Sequence, residues 1–209
     1  MSESAPSREV ARRAFAAEFN DASYTFKESD DERAPLYALL PTGARANRVY
    51  VVGTLTETED VGEDSEYWRG RVVDPTGTFF SYAGQYQPEA ASALRETETP
   101  AYVAVVGKPR TFETDEGDTN VSLRPESITI VDAATRDRWV VETADRTLER
   151  IEASDGAASE APSENGEAAA PDEYATMAET QYDPDPSVYR DQVIAALEDL
   201  EEAEVTAEA

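Results

Sequence analysis

The chain has 209 residues and a formal net charge of −27, from 45 acidic and 18 basic side chains, with no cysteine and no histidine. Those absences exclude a disulfide framework and a thiolate metal site, and remove the commonest general base and the usual zinc ligand. No stretch approaches the roughly 20 apolar residues needed to span a membrane, and MSESAPSREVARRAF lacks the apolar run of a signal peptide, so a soluble cytoplasmic protein is expected.

In chain order, Ser7 can cap a helix reaching about Phe19, with Val10, Ala11, Ala14, Phe15 and Phe19 on one face. A polar connection, KESDDER, and the segment APLYALLPTG complete an N-terminal lead-in over residues 1–47. From Arg48 the texture changes to strands: RVYVVGTLTE, EYWRGRVVD and TFFSYAG. PEAASALRETE reads as a short helix opened by Pro88. AYVAVVGKPRTFE and NVSLRPESITIVD are two more strands around the acidic loop TDEGDT. Residues 134–152 have helical spacing through Val140, Ala144, Leu148 and Ile151, flanked by Trp139. Residues 153–186 are rich in Ala, Ser, Glu, Pro and Asp and too poor in large apolar groups to offset ordering entropy, so they read as an acidic disordered linker. Ser187 can cap a last amphipathic helix within 187–209, with Tyr189, Val193, Ala196, Leu197 and Leu200 on one stripe.

Only Lys27 and Lys108 are lysines, and the acid excess runs through every part of the chain. This is the composition expected of a cytosol at molar salt, where charge repulsion is screened and carboxylates keep the surface hydrated. A basic partner is the rival explanation.

The order strand, strand, strand, helix, strand, strand predicts a mainly β domain over residues 48–133: the five-stranded Greek-key barrel of the OB-fold, with flanking helices. Five strands alone would also suit an SH3-like barrel; the helix between the third and fourth favours OB. Gly53 interrupts the first strand where such a barrel bends, and Gly70 sits inside the second.

Asp74-Pro75-Thr76-Gly77 is a type I turn signature. If Asp74 and Gly77 close the turn, Arg71 faces Phe80, Arg69 faces Tyr82, Val72 faces Phe79 and Trp68 faces Ala83. Alternation then sorts the hairpin into two faces. Trp68, Val72, Phe79 and Ala83 suit a barrel interior, and Arg69, Arg71, Phe80 and Tyr82 form the other face. The second and third strands of an OB-fold are the usual oligonucleotide platform, bases stack on exposed rings, and arginine contacts phosphate. Tyr67, Arg69, Arg71, Phe80 and Tyr82 are therefore the candidate nucleic-acid surface, with Lys108 and Arg110 at its edge. At molar salt phosphate contacts weaken while stacking persists, so a halophilic single-strand binder needs rings more than lysines. Two other roles fit the same face: a protein-docking surface, or core covered by a terminal helix.

NRVYVVGTLTE, DPTGTFFSYAGQYQPEA, PAYVAVVGKPR, RPESITIVD and RDRWVVETADRTLERI resemble the replication protein A-associated proteins found chiefly in haloarchaea. The resemblance covers about residues 5–152 and a short acidic helix at the end; DPTGTFFSYAGQY with QPEA is its most specific part. It implies an OB-fold that partners a replication protein A subunit, the single-stranded DNA-binding protein of replication and repair. It fixes no DNA-contacting residue individually.

The post-barrel helix either covers the barrel with Trp139 and Leu148 or, as the resemblance favours, bundles with a partner subunit through Trp139, Leu148 and Ile151. The last helix, with Tyr189, Val193, Leu197 and Leu200, has no obvious dock in its own chain and reads as a groove ligand or as a helix formed on contact. Asp115, Glu116 and Asp118 lack EF-hand spacing, and GKPR at 107–110 has neither the glycine-rich turn nor the following helix of a phosphate loop. No cofactor, metal or enzymatic activity is expected. The sequence reading is an accessory subunit of a replication protein A-type complex. Its alternative is an OB-fold interaction module that docks the DNA-binding subunit without touching DNA.

Overall fold

The computed structural model describes residues 9–32, 34–159 and 173–208. The elements are β1 (Arg12–Arg13), α1 (Ala16–Asp21), β2 (Thr25–Phe26), β3 (Tyr37–Leu40), β4 (Ala44–Ala46), β5 (Val49–Asp60), β6 (Trp68–Asp74) and β7 (Gly77–Ala83). They continue with α2 (Pro88–Glu96), β8 (Ala101–Glu113), β9 (Thr119–Ile130), α3 (Ala133–Ser159), α4 (Glu173–Tyr182) and α5 (Pro186–Glu208).

Strands β5-β6-β7-β9-β8 are neighbours in that order, and β8 returns to pair with β5, so the sheet closes. The β7–β9 contact is parallel, at Ser81 and Leu123, and the other four barrel pairings are antiparallel. With α2 between the third and fourth barrel strands, this is the OB-fold that the order of sequence patterns predicts. Alternation on β6 and β7 sends Val72, Phe79 and Ala83 inward, where they are buried with Leu55, Val103, Val105, Val121 and Leu123. Helix α2 closes one end of the barrel: Leu94 is fully buried, and a Cβ on Gly70 would lie 2.6 Å from its side chain, so any larger residue there would displace the Leu94 methyl. The β5–β6 register shifts between Leu55 and Glu57, leaving Thr56 as a bulge three residues past Gly53.

The N-terminal lead-in differs from the predicted helix. Arg12 N–H donates to Arg48 O at 2.8 Å, and β1 joins β5 in parallel, so this stretch is zipped onto the barrel as a strand. Only six residues, Ala16–Asp21, are helical. Ala14, Phe15, Ala16 and Phe19 are buried, but Val10 is exposed, and consecutive burial at 14–16 is not one helical stripe. Phe19 meets Phe79 with ring centroids 5.4 Å apart, so α1 covers the barrel near the β6–β7 turn. The expected lead-in, whose polar connection is KESDDER, also supplies a second antiparallel sheet in the order β2-β3-β4 with Leu39 and Leu40 fully buried.

Helix α3 lies on the outer side of β5. Trp139 Nε1 donates to Tyr50 O at 3.0 Å, and its ring meets Phe15 edge-on at 5.4 Å. Further along α3, Arg150 binds Glu18 at 2.7 Å and Thr42 at 2.8 Å; Glu18 is itself buried and accepts from the Thr42 hydroxyl. A buried charge is tolerable only when paired and hydrogen-bonded in this way.

The linker expected over 153–186 is corrected at both ends. Helix α3 continues to Ser159, and α4 occupies Glu173–Tyr182; residues 160–172 lie outside the described residues. Small side chains make the α4 contact possible. Gly43 has φ +87 and a Cβ there would meet Ala175 Cα at 2.9 Å, so glycine is required for both conformation and space. The Tyr182 hydroxyl donates to Leu39 O at 2.8 Å and accepts from Tyr24 N–H at 2.9 Å. Asp185, one residue before the helix, accepts from Ser187 N–H and its hydroxyl at the start of α5. The Tyr189 hydroxyl then donates to Asp21 at 2.8 Å. Among the described residues no helix is long and apolar enough to cross a membrane.

Candidate nucleic-acid interface

The β6–β7 hairpin has the register its turn predicts: Arg71 opposite Phe80, Arg69 opposite Tyr82, Val72 opposite Phe79 and Trp68 opposite Ala83. Asp74 builds the turn, its Oδ1 accepting from Thr76 N–H at 2.7 Å and Gly77 N–H at 2.9 Å, while Oδ2 accepts from Ala16 N–H at 2.7 Å. Burial pushes the Asp74 carboxyl above its ordinary range, and these donors pull the other way.

Two aligned strands bring Arg69, Arg71, Phe80 and Tyr82 to one outer wall. Phe80 is 37% exposed and Tyr67 44%, so neither lies beneath a terminal helix. Tyr67 stacks on Tyr82 with centroids 5.8 Å apart, and the Arg69 guanidinium lies 5.9 Å from the Phe80 centroid. Asp60 positions Tyr67 by accepting its N–H and that of Gly62, each at 3.0 Å, and these bonds hold the Asp60 carboxyl below its ordinary range.

The arginines are already partly engaged. Arg69 reaches Glu59 at 2.6 Å and Glu57 at 3.4 Å. Arg71 donates to the hydroxyls of Thr56 at 3.2 Å and Thr78 at 3.4 Å. The loops either side are acidic, with Glu63, Asp64 and Glu66 after β5 and Asp115, Glu116 and Asp118 after β8.

Lys108 and Arg110 sit on β8 opposite Arg124 and Ser122 of β9. The parallel contact at Ser81 and Leu123 sets Tyr82 and Arg124 one step further along adjacent strands, so the platform continues from β7 onto β9 and β8. Burial, then Arg48, lowers the Lys108 pKa, with Arg124 and Arg110 adding to the effect and Glu126 opposing it. Burial followed by Arg110 does the same to Arg124. Arg124 is absent from the sequence-level candidates; pairing the two strands around TDEGDT is the signal that would have found it.

The proposed partner-binding helix residues lie elsewhere and are used by the chain itself. Trp139, Ile151, Tyr189 and Val193 are buried. Leu148, Leu197 and Leu200 are partly buried against the same core. The dock that the sequence did not reveal for α5 is the chain's own α3 layer. Among the described residues no group of three or more His, Cys, Asp or Glu converges to hold a metal ion.

No family model and no curated protein matches the chain. Solved structures similar to it include OBody AM2EP06 bound to hen egg-white lysozyme, at 19% identity, covering 41% of this chain and 80% of that one, TM-score 0.34. OBody AM1L10 bound to hen egg-white lysozyme is 15% identical over 60% of this chain and 99% of that one, TM-score 0.36. Rim1, a mitochondrial single-stranded DNA-binding protein from S. cerevisiae, is 22% identical over 41% of this chain and 92% of that one, TM-score 0.31. At these identities likeness concerns the fold alone, and the strand order fixes that fold: the chain carries an OB-fold barrel.

Proposed function

We propose that the protein is a non-enzymatic accessory subunit of a replication protein A-type complex in the cytoplasm of a halophilic archaeon, and binds single-stranded DNA during replication and repair. The observation that carries this reading is the open outer wall of β6 and β7, where Tyr67, Tyr82 and Phe80 present rings beside Arg69. A folded protein ordinarily covers such rings, and base stacking is a binding mode that survives molar salt. The resemblance to replication protein A-associated proteins supplies the partner and the process. Single-stranded DNA binding by the isolated protein at molar KCl, before and after adding a replication protein A subunit, tests it. The double variant Phe80→Ala with Tyr82→Ala is expected to weaken binding by about 2–6 kcal/mol while far-ultraviolet circular dichroism stays unchanged.

A second reading is favoured by Glu57 and Glu59, which already hold Arg69. In that reading the same wall docks a partner protein and only the partner holds DNA. Its signature is a folded double variant that binds DNA as wild type does but no longer retains the partner subunit.

A further inference from the structure

The platform does not stop at β7. One strand beyond it, Arg124 follows Tyr82, and the next strand brings Lys108 and Arg110. Neighbouring strands are about 4.8 Å apart, so these cations lie within one or two strand widths of the rings. Arg124 also borders an open groove of about 670 Å³ shared with Tyr86, Pro88, Pro125 and Glu126. Tyr86 is 83% exposed, more than any other aromatic side chain among the described residues.

A chain with 45 acidic groups has ample carboxylates to neutralise every cation it carries, as it does for Arg13, Arg45, Arg69, Arg95, Arg146 and Arg150. On β8 and β9 it instead sets Lys108, Arg110 and Arg124 beside one another; burial is the main cause that lowers the Lys108 and Arg124 pKa values, Arg110 adds to both, and Arg124 adds to the first. Glu126 is the carboxylate that acts against this, and it also bonds Arg48 at 2.7 Å. Like charges gathered on adjoining strands are relieved by a bound anion. A single phosphate would need convergent donors in a closed pocket; cations strung over two strands suit a repeating anion.

We infer that the outer face of β8 and β9 is a sugar-phosphate subsite, in which Lys108, Arg110 and Arg124 contact the backbone of a single-stranded nucleic acid and Tyr86 stacks a terminal base. This rests on the reading of β6 and β7 as a base platform, and divides the labour: bases over β6–β7, backbone over β8–β9. Arg124 and Tyr86 thereby become binding residues. Arg69, held by Glu57 and Glu59, contributes less to the backbone than its place on the platform implies.

The test compares two oligomers of equal length, oligothymidylate and an abasic deoxyribose-phosphate chain, by fluorescence anisotropy over a KCl series with the full chain. Wild type is expected to bind both, the abasic oligomer more weakly. Arg110→Ala with Arg124→Ala should abolish abasic binding and reduce the slope of log affinity against log salt by about 1.4, two single-strand phosphate contacts. Arg110→Lys with Arg124→Lys should keep the slope, which separates charge from fold. Phe80→Ala with Tyr82→Ala should keep abasic binding and the slope while losing affinity for oligothymidylate. Tyr86→Ala should lower oligothymidylate affinity roughly 5- to 150-fold and leave the abasic oligomer unaffected. If oligothymidylate binds but the alanine pair leaves slope and abasic binding unchanged, the subsite is wrong and the base platform stands. If wild type binds neither oligomer, both fall.

Discussion

Two outer walls of one barrel have had opposite fates. On the β5 side, α3 lies over the sheet: Trp139 bonds the Tyr50 carbonyl, Val52 is fully buried, and Arg13 and Arg136 sit over the Tyr50 and Tyr102 rings at 4.8 and 5.2 Å. On the β6–β7 side, rings of the same kind face outward, and among the described residues no helix lies upon them. Strand chemistry is alike on both walls, so exposure on the second is a choice of architecture. The chain had helices to spare and placed them on α3 and on the β2-β3-β4 sheet instead.

The sharpest way to break this comparison is to attack the covered side at its buried charge. Arg150→Ala leaves Glu18 buried and unpaired, and should cost about 3–5 kcal/mol of stability in urea unfolding at fixed KCl. A loss below about 1 kcal/mol would mean that α3 is not held by this ion pair.

Adjacent phenylalanines give a comparison within one strand. Phe79→Ala removes a fully buried ring and should cost about 3–5 kcal/mol. Phe80→Ala removes its outward neighbour and should change stability by only about 0.5 kcal/mol while weakening DNA binding. Equal destabilisation by the two would show that the outer wall is core.

Smaller effects sharpen the picture at the seam between the chain's two ends. Tyr182→Phe deletes the hydroxyl between Leu39 and Tyr24 and should cost about 1–3 kcal/mol, since both backbone groups lose a partner. Burial is the main cause that pushes the Tyr182 phenol from 10.0 up to about 12. Folding therefore favours the protonated form; the associated stability is complete below pH 10 and is lost as pH rises towards 12. Wild type should lose more stability than Tyr182→Phe across that window, read as the difference between their urea midpoints.

The barrel was legible because its determinants are local. Asp74-Pro75-Thr76-Gly77 pins a hairpin register, and register decides which side chains share a wall. What escaped depends on distant partners. Arg12 reads as helical until Arg48 offers a carbonyl, and the continuous burial of Tyr37–Leu40 on β3 gains meaning only beside β2 and β4. Ala175 and Ala178 looked like the alanines of a solvated tract, yet both are buried, and Ala175 packs directly against Gly43. The stripe on α5 was read correctly and its destination was not, because the receiving surface is assembled from α1 and α3. At the site, the rings followed from alternation, whereas Arg124 required pairing two strands across a loop.

The bond from Tyr189 to Asp21 joins residues 168 apart, and that from Tyr24 to Tyr182 joins residues 158 apart. A ribosome delivers the first member of each pair long before the second. Strands β5 to β9, by contrast, find all their barrel partners between Val49 and Ile130. During synthesis the barrel and its open wall can therefore be complete while Asp21 and Tyr24 still wait for Tyr189 and Tyr182.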